Sequence, residues 1–217
     1  TKYVSTSVDD PFKNRDPRLD FTILHHGSRW LNTTLDTQVG GTHNPSGAQY
    51  SRTCYYMAKF MKDYQTSSNY EDNIHLWVMY RYGEVLLNYA EALNEAEGPV
   101  DDVYKYVDAI RKRAGLPGLA KGLDKDKMRE RIQHERQIEL AFEAGHRYFD
   151  CHRWKIAEKT DNGYMHGMNI TATNKVDYSK RSTVGDSRVF EKKHYLFPIP
   201  QSEMDKRIGL VQSPYWE

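Results

Sequence analysis

Arg81–Glu95 reads RYGEVLLNYAEALNE, and Glu135–Trp154 reads ERQIELAFEAGHRYFDCHRW. The pattern hardens from Ile74. Val78, Tyr82, Val85, Leu86, Tyr89, Ala90, Leu93 and Ala96 then recur at three- and four-residue intervals, which predicts an amphipathic helix. Gly98-Pro99 stops it. Val103, Tyr106, Val107 and Ile110 predict a second helix, with Asp101 and Asp102 at its positive end and Arg111 to Arg113 at its negative end. A short break between two such helices predicts an antiparallel hairpin.

A third helix opens near Asp124, carries Met128, Ile132, Ile138, Leu140, Ala141 and Phe142 on its apolar face, and ends at Gly145. Tyr148–Ala157 predicts a short fourth helix with Phe149, Trp154 and Ile156. The fold class is therefore mostly all-α, with tetratricopeptide-like helix pairs and long irregular loops. Leu86–Pro117 has the length of one such pair, although the full repeat pattern does not match. One pair cannot bury both of its faces, so further units are expected elsewhere in a longer protein.

Outside the helices the reading changes. Residues 1–70 form an irregular, loop-rich segment, rich in turn signals such as Asp16-Pro17, Gly40-Gly41 and Asn44-Pro45. Tyr55–Tyr64 reads as a short strand or a turn of helix, its apolar spacing fitting neither period well. Residues 71–158 are the helical core. Residues 159–217 combine a long polar loop (Thr160–Arg188) with an extended return over His194–Pro200, where Pro198 and Pro200 forbid helix. Leu210, Tyr215 and Trp216 are the expected anchors of the tail.

The chain has 217 residues, enough for one domain with a hydrophobic core. Its 31 basic and 30 acidic residues are interleaved, so there is no global field to draw in nucleic acid. No apolar run reaches the roughly 20 residues of a membrane span. The chain starts at Thr1 without a secretory signal and reads as a piece of a longer polypeptide. Cys54 and Cys151 lack metal-like spacing and read as two unpaired, partly buried thiols. Tyrosine is abundant, with 16 Tyr against 7 Phe, which suits half-buried helix packing and amphipathic ligands alike.

Glu135, Glu139 and Glu143 stand at four-residue steps on one face of the third helix, a spacing that could serve a two-carboxylate glycosidase. Arg131, Arg136, Arg147 and Arg153 lie near in sequence. Carboxylates facing arginines are ionised structural partners, not general acids, and that reading is preferred. Asp150 and Arg153 read as a further pair. The nine histidines show no converging ligand set, so no metal and no cofactor is expected. The binding candidates are His25, His26, Arg29, Trp30, Asn32, Asn44, Gln49 and Tyr50. They combine aromatic faces with planar hydrogen-bonding groups on loops, the mixture that sugar recognition needs. The alternative is that Trp30 plugs the edge of a core. Trp77 is a weaker candidate, since Leu76 and Val78 suggest burial.

Arg81-Tyr82-x-Glu84-Val85-Leu86-Leu87-x-Tyr89-Ala90-Glu91-Ala92, Ile110-Arg111-x-Arg113-Ala114-Gly115-Leu116-Pro117, Glu135-Arg136-x-Ile138-Glu139-Leu140-Ala141-Phe142-Glu143, His146-Arg147-Tyr148-Phe149-Asp150 and Arg153-Trp154 together resemble the C-terminal half of SusD/RagB-like proteins. The match runs from Asp16-Pro17-Arg18-Leu19 through Leu196-Phe197-Pro198-Ile199-Pro200 to Trp216. Ala144 adds a residue where the family runs Glu-Gly directly, Ser213-Pro214-Tyr215-Trp216 replaces Asn-Pro-Gly-Trp, and Gly83 stands where Ala is usual.

The resemblance implies a non-catalytic protein that binds glycans or oligosaccharides. It would act at the outer cell surface for import through a SusC-like TonB-dependent transporter. A lipid on a further N-terminal part would hold it to the outer membrane. It also implies that Arg81, Glu84, Glu91, Arg111, Arg113, Glu135, Arg136, Glu139, Glu143, Arg147, Asp150 and Arg153 are scaffold. A helical-repeat interaction module and capture of a non-sugar nutrient such as peptides are the alternatives.

Overall fold

The computed structural model describes residues 11–44, 50–61, 66, 78–168, 170, 172–173, 175–176, 181–206 and 208–216. The first part carries α1 (Arg18–Thr22) and four two-residue strands, β1 (Ile23–Leu24), β2 (Arg29–Trp30), β3 (Thr33–Thr34) and β4 (Tyr56–Met57). The helices follow: α2 (Tyr82–Glu97), α3 (Asp101–Arg113), α4 (Lys125–Glu139), α5 (His146–Arg153) and α6 (Ala157–Thr160). Then come β5 (Gly163–Met168), β6 (Ala172–Thr173), β7 (Lys175–Val176), β8 (Arg181–Arg188), a 3-10 turn over Lys192–Tyr195 and α7 (Gln201–Met204). Two compact units result, one of residues 1–147 and 166–182, the other of 148–165 and 183–217.

The core of the first unit is the helix trio α2, α3 and α4. Ala90 from α2, Val103, Tyr104 and Val107 from α3, and Met128 and Ile132 from α4 form one buried cluster, flanked by Leu93, Val100, Tyr106, Leu119 and Leu123. Leu87, Ile110 and Leu140 form a second, with Leu86 against it. Side chains such as Leu87, Val107 and Ile132 are fully buried, and each such burial stabilises by about 1.5–3 kcal/mol. The tyrosine ring of Tyr104 shares this core, and its hydroxyl accepts from the Leu123 N–H at 3.0 Å.

The helix ends refine the sequence reading. Residues 74–77 lie outside the described residues, and Val78–Arg81 are not helical, so α2 begins at Tyr82. Arg81 precedes it in extended conformation (φ −146°, ψ 158°) without a side-chain cap, since a guanidinium has no acceptor for the helix N–H groups, and it donates to Glu139 and Glu143. Gly98, at φ 86°, ends α2 in the left-handed region that glycine adopts without penalty. Asp124 caps α4 as expected, its side chain accepting from the Lys127 N–H at 2.8 Å.

The third helix stops at Glu139, not Gly145. The Glu139 carbonyl accepts from Arg81 Nη2 at 2.8 Å and Lys59 Nζ at 2.9 Å, two cations at the negative end of the helix, and so the chain turns. Phe142 and Ala144 enter the left-handed region (φ 63° and 38°). Phe142 is half exposed there, not on an apolar helix face, and Glu143 reaches its partners from this turn rather than from α4.

The fourth helix is α5, which starts two residues earlier than expected and breaks before α6; Phe149 is exposed. Thr160–Arg188 is not a structureless loop. There β5 pairs with β8, and β6 with β7 in antiparallel register (Ala172↔Val176, Thr173↔Lys175). The alternating small and polar residues gave no apolar period to read. His194 and Tyr195 belong to the 3-10 turn, and Pro200 leads into α7. In the tail, Trp216 is the anchor, its Nε1 donating to the Lys193 and Leu196 carbonyls at 2.9 and 3.0 Å, whereas Leu210 and Tyr215 are exposed.

Candidate functional site

Two constellations in the first unit were singled out by the sequence. The loop segment before α2 is built on its own small core. Leu24, Leu35 and Ala58 are buried, with Trp30, Tyr56 and Met61 packed against them. Backbone pairing makes this possible: β1 with β4 (Ile23↔Met57, Leu24↔Tyr56) and β2 with β3 (Arg29↔Thr34, Trp30↔Thr33). Tyr55–Tyr64 thus contributes a strand at Tyr56–Met57, and residues 62–64 lie outside the described residues. The Tyr56 hydroxyl accepts from the Ser51 N–H at 3.3 Å and donates to the His43 carbonyl at 3.4 Å, closing the segment on itself.

The eight binding candidates separate within this segment. Trp30 is half-buried on the small core, so the core-edge reading describes it. His25 stacks on Phe12 (ring centroids 3.7 Å, interplanar 12°) and donates from Nδ1 to the His26 carbonyl at 2.8 Å. His26 Nδ1 accepts from the Thr37 N–H at 3.1 Å, so the proton of the neutral ring sits on Nε2. Burial pushes the His26 imidazole below its usual value, against the pull of Asp36. Asn44 donates to the Gln38 carbonyl at 2.6 Å.

Arg29, Asn32 and Tyr50 are exposed. Arg29 is steadied by donation from Nε to the Leu31 carbonyl at 2.8 Å. Tyr50 sets its ring edge to His43 at 6.0 Å. Gln49 and Trp77 lie outside the described residues. His43 and Tyr56 belong to the same construction and were not singled out by the sequence. Only their pairing, across 13 residues, reveals their role.

The second constellation is the carboxylate row. Glu135, Glu139 and Glu143 are buried. Glu135 accepts from Arg18 Nη1 at 2.7 Å and Arg111 Nη1 at 3.0 Å. Glu139 accepts from Arg18 Nη1 at 2.8 Å, Arg81 Nη1 at 2.6 Å and Arg113. Glu143 accepts from Arg81 Nε at 2.6 Å and Nη2 at 2.8 Å, and from Lys59.

Burial pushes the Glu139 and Glu143 carboxyls up, but hydrogen bonds and charges from the arginines and Lys59 outweigh it and hold both below the ordinary glutamate value. A general acid needs the opposite displacement. The row is the hub of a network of arginines and Lys59. Arg136 continues the network, donating from Nη1 to Asn88 at 2.5 Å with Nε 3.7 Å from Glu91, and Glu84 faces His146 Nε2 at 3.4 Å. Arg147 is half-buried, and in the second unit Arg153 Nη2 pairs with the buried Asp150 at 2.9 Å.

Gly83 is explained by this hub. A Cβ there would lie 2.6 Å from Arg81 Nη1, the atom that holds Glu139. Among the described residues no group of three His, Cys, Asp or Glu side chains could hold a metal ion.

Comparison with known proteins places this architecture. The SusD family model matches residues 2–216. The chain belongs to the SusD family. SusD-like protein P2 of Formosa agariphila is 31% identical over 156 residues, which cover 68% of this chain and 26% of that protein. A solved SusD-like protein from Bacteroides fragilis is 30% identical with a TM-score of 0.78, covering 100% of this chain and 43% of that one. A second from Bacteroides fragilis, described as a SusD-like carbohydrate-binding protein, is 28% identical with a TM-score of 0.70, over 92% of this chain and 42% of that one. The chain therefore spans about a quarter of the curated relative and under half of these solved SusD-like proteins.

Proposed function

We propose that this SusD-family chain takes part in binding glycans or oligosaccharides without cleaving them, and that its loop segment carries ligand contacts. The observation that carries the reading is the segment's construction: a small core holding Trp30 and Tyr56 inward while Arg29, Asn32 and Tyr50 stand outward. A pre-built platform lets an aromatic ring meet the C–H face of a sugar while Arg and amide groups meet hydroxyls, at little ordering cost. The carbohydrate-binding description of one relative supports this choice of ligand. The ionised, arginine-clamped carboxylates support a role without hydrolysis.

Import would follow by hand-over to a SusC-like TonB-dependent transporter at the outer membrane, with a lipid anchor elsewhere in the longer protein. Among the described residues no helix is long and apolar enough to cross a membrane. A screen of this chain on a glycan array tests the proposal. Retention with no released products supports it, and silence across the array moves the site to the rest of the longer protein or to another cargo.

One feature favours a protein partner as well. Tyr82, Val85 and Tyr89 are exposed on one face of α2, an apolar stripe at helical spacing. A Tyr82→Ser/Tyr89→Ser variant that keeps glycan retention but loses association with the transporter would assign that face to the partner.

A further inference from the structure

The loop segment and the helices of the first unit keep separate apolar cores, one around Leu24, Leu35 and Ala58, the others around Val107 and Leu87. Among the described residues two cations cross from one to the other. Arg18, on α1, places Nη1 between Glu135 (2.7 Å) and Glu139 (2.8 Å). Lys59, two residues beyond β4, reaches the Glu139 carbonyl at 2.9 Å and the Glu143 carboxylate. Asp16 aims the first of these, accepting from Arg18 Nε at 3.0 Å and Nη2 at 2.7 Å, which leaves Nη1 for the helix.

We propose that Arg18 and Lys59 are positioning residues: a polar clasp that docks the loop segment on the C-terminal end of α4 and holds its exposed side chains in place for ligand. The functional half of this statement rests on the glycan-binding reading above. The physical reason is the contrast in cohesion. The helices are joined by fully buried aliphatic side chains, an interaction without preferred direction. A clasp of buried ion pairs is directional, and losing one member strands the partner's charge away from water. The loop segment is therefore the element that opens first, while α2, α3 and α4 remain packed.

Hydrogen exchange on this 217-residue chain tests the clasp without any ligand. In Arg18→Met and Lys59→Met, amides of residues 23–44 and 50–58 are expected to exchange faster by on the order of tenfold or more, with those of 87–110 and 128–136 nearly unchanged. Asp16→Asn, which only loosens the aim of Arg18, should give a smaller change of the same pattern and serves if Arg18→Met does not fold. Lys59→Arg should restore most of the protection. Equal acceleration in loops and helices, or none in the loops, would overturn the proposal. Glycan retention read on the same variants separates the two statements: loosened loops with undiminished retention leave the docking role standing and remove the ligand from these loops.

Discussion

Replacing Glu139 by Gln keeps the side-chain shape and removes one charge from the hub. In the native chain this buried carboxylate meets Arg18 at 2.8 Å, Arg81 at 2.6 Å and Arg113. The amide would turn donors toward guanidinium donors. Removing one partner of a buried ion pair costs about 3–5 kcal/mol.

The neighbours decide where in that range the loss falls. Arg81 retains Glu143, Arg18 retains Glu135 and Asp16, and the Arg113 side chain, 61% exposed, returns to water. Rescue on this scale points to the low end, about 3 kcal/mol, or a Tm lower by about 6–12 °C for a chain of this size. Urea denaturation followed by helical circular dichroism measures it, with Arg113→Met as the exposed control, expected to lose less than about 1 kcal/mol. A Glu139→Gln variant within about 0.5 kcal/mol of wild type would refute the hub as a stabilising unit.

Acid should act through the same groups. The Glu139 and Glu143 carboxyls are held below the ordinary glutamate value in the folded chain, so their contribution is whole above that ordinary value and is lost as pH falls through the lower folded value; a urea midpoint that declines below about pH 4.3, with a shallower decline in a Glu139→Gln/Glu143→Gln variant, is the expected profile. Gly83→Ala should destabilise despite the roughly 1 kcal/mol gain in helix propensity, and the same change in an Arg81→Met background should recover that gain, which a double-mutant cycle measures. Ala144→Gly should raise stability by about 0.5–1 kcal/mol in thermal denaturation, since Ala144 sits at φ 38°. Cys54 and Cys151 are buried and unpaired, and burial pushes the Cys54 thiol up, so a thiol reagent should label both only after denaturation.

The helices were legible because their apolar spacing is repeated over several turns, as in Leu86, Ala90 and Leu93 against Val103, Val107 and Ile110. Their ends were less so. Glu139 ends α4 through two cations that arrive from 58 and 80 residues away, and no local pattern carries that. The carboxylates were legible as partners of arginines, but not which ones: nearness in sequence pointed to Arg131, Arg136, Arg147 and Arg153, whereas the ion pairs run to Arg18, Arg81, Arg111 and Arg113, and to Lys59. Apart from Tyr56–Met57, which falls in a stretch read as a short strand or a turn of helix, the strands in the loop segment and in Thr160–Arg188 were missed because they are short or polar, with too few apolar positions to show a period of two. Trp30 showed its aromatic character in the sequence, yet its direction, inward to Leu24 and Leu35, is set by the β2–β3 pairing.

Affinity electrophoresis of wild type against Tyr50→Ala, in gels holding the glycan that the array selects, tests the central proposal most directly. Tyr50 is exposed, so its removal should leave Tm unchanged. The account predicts retarded wild-type migration, much weaker retardation of the variant, and no new reducing ends in the gel. Equal retardation of both proteins, or release of cleaved sugar, would contradict it.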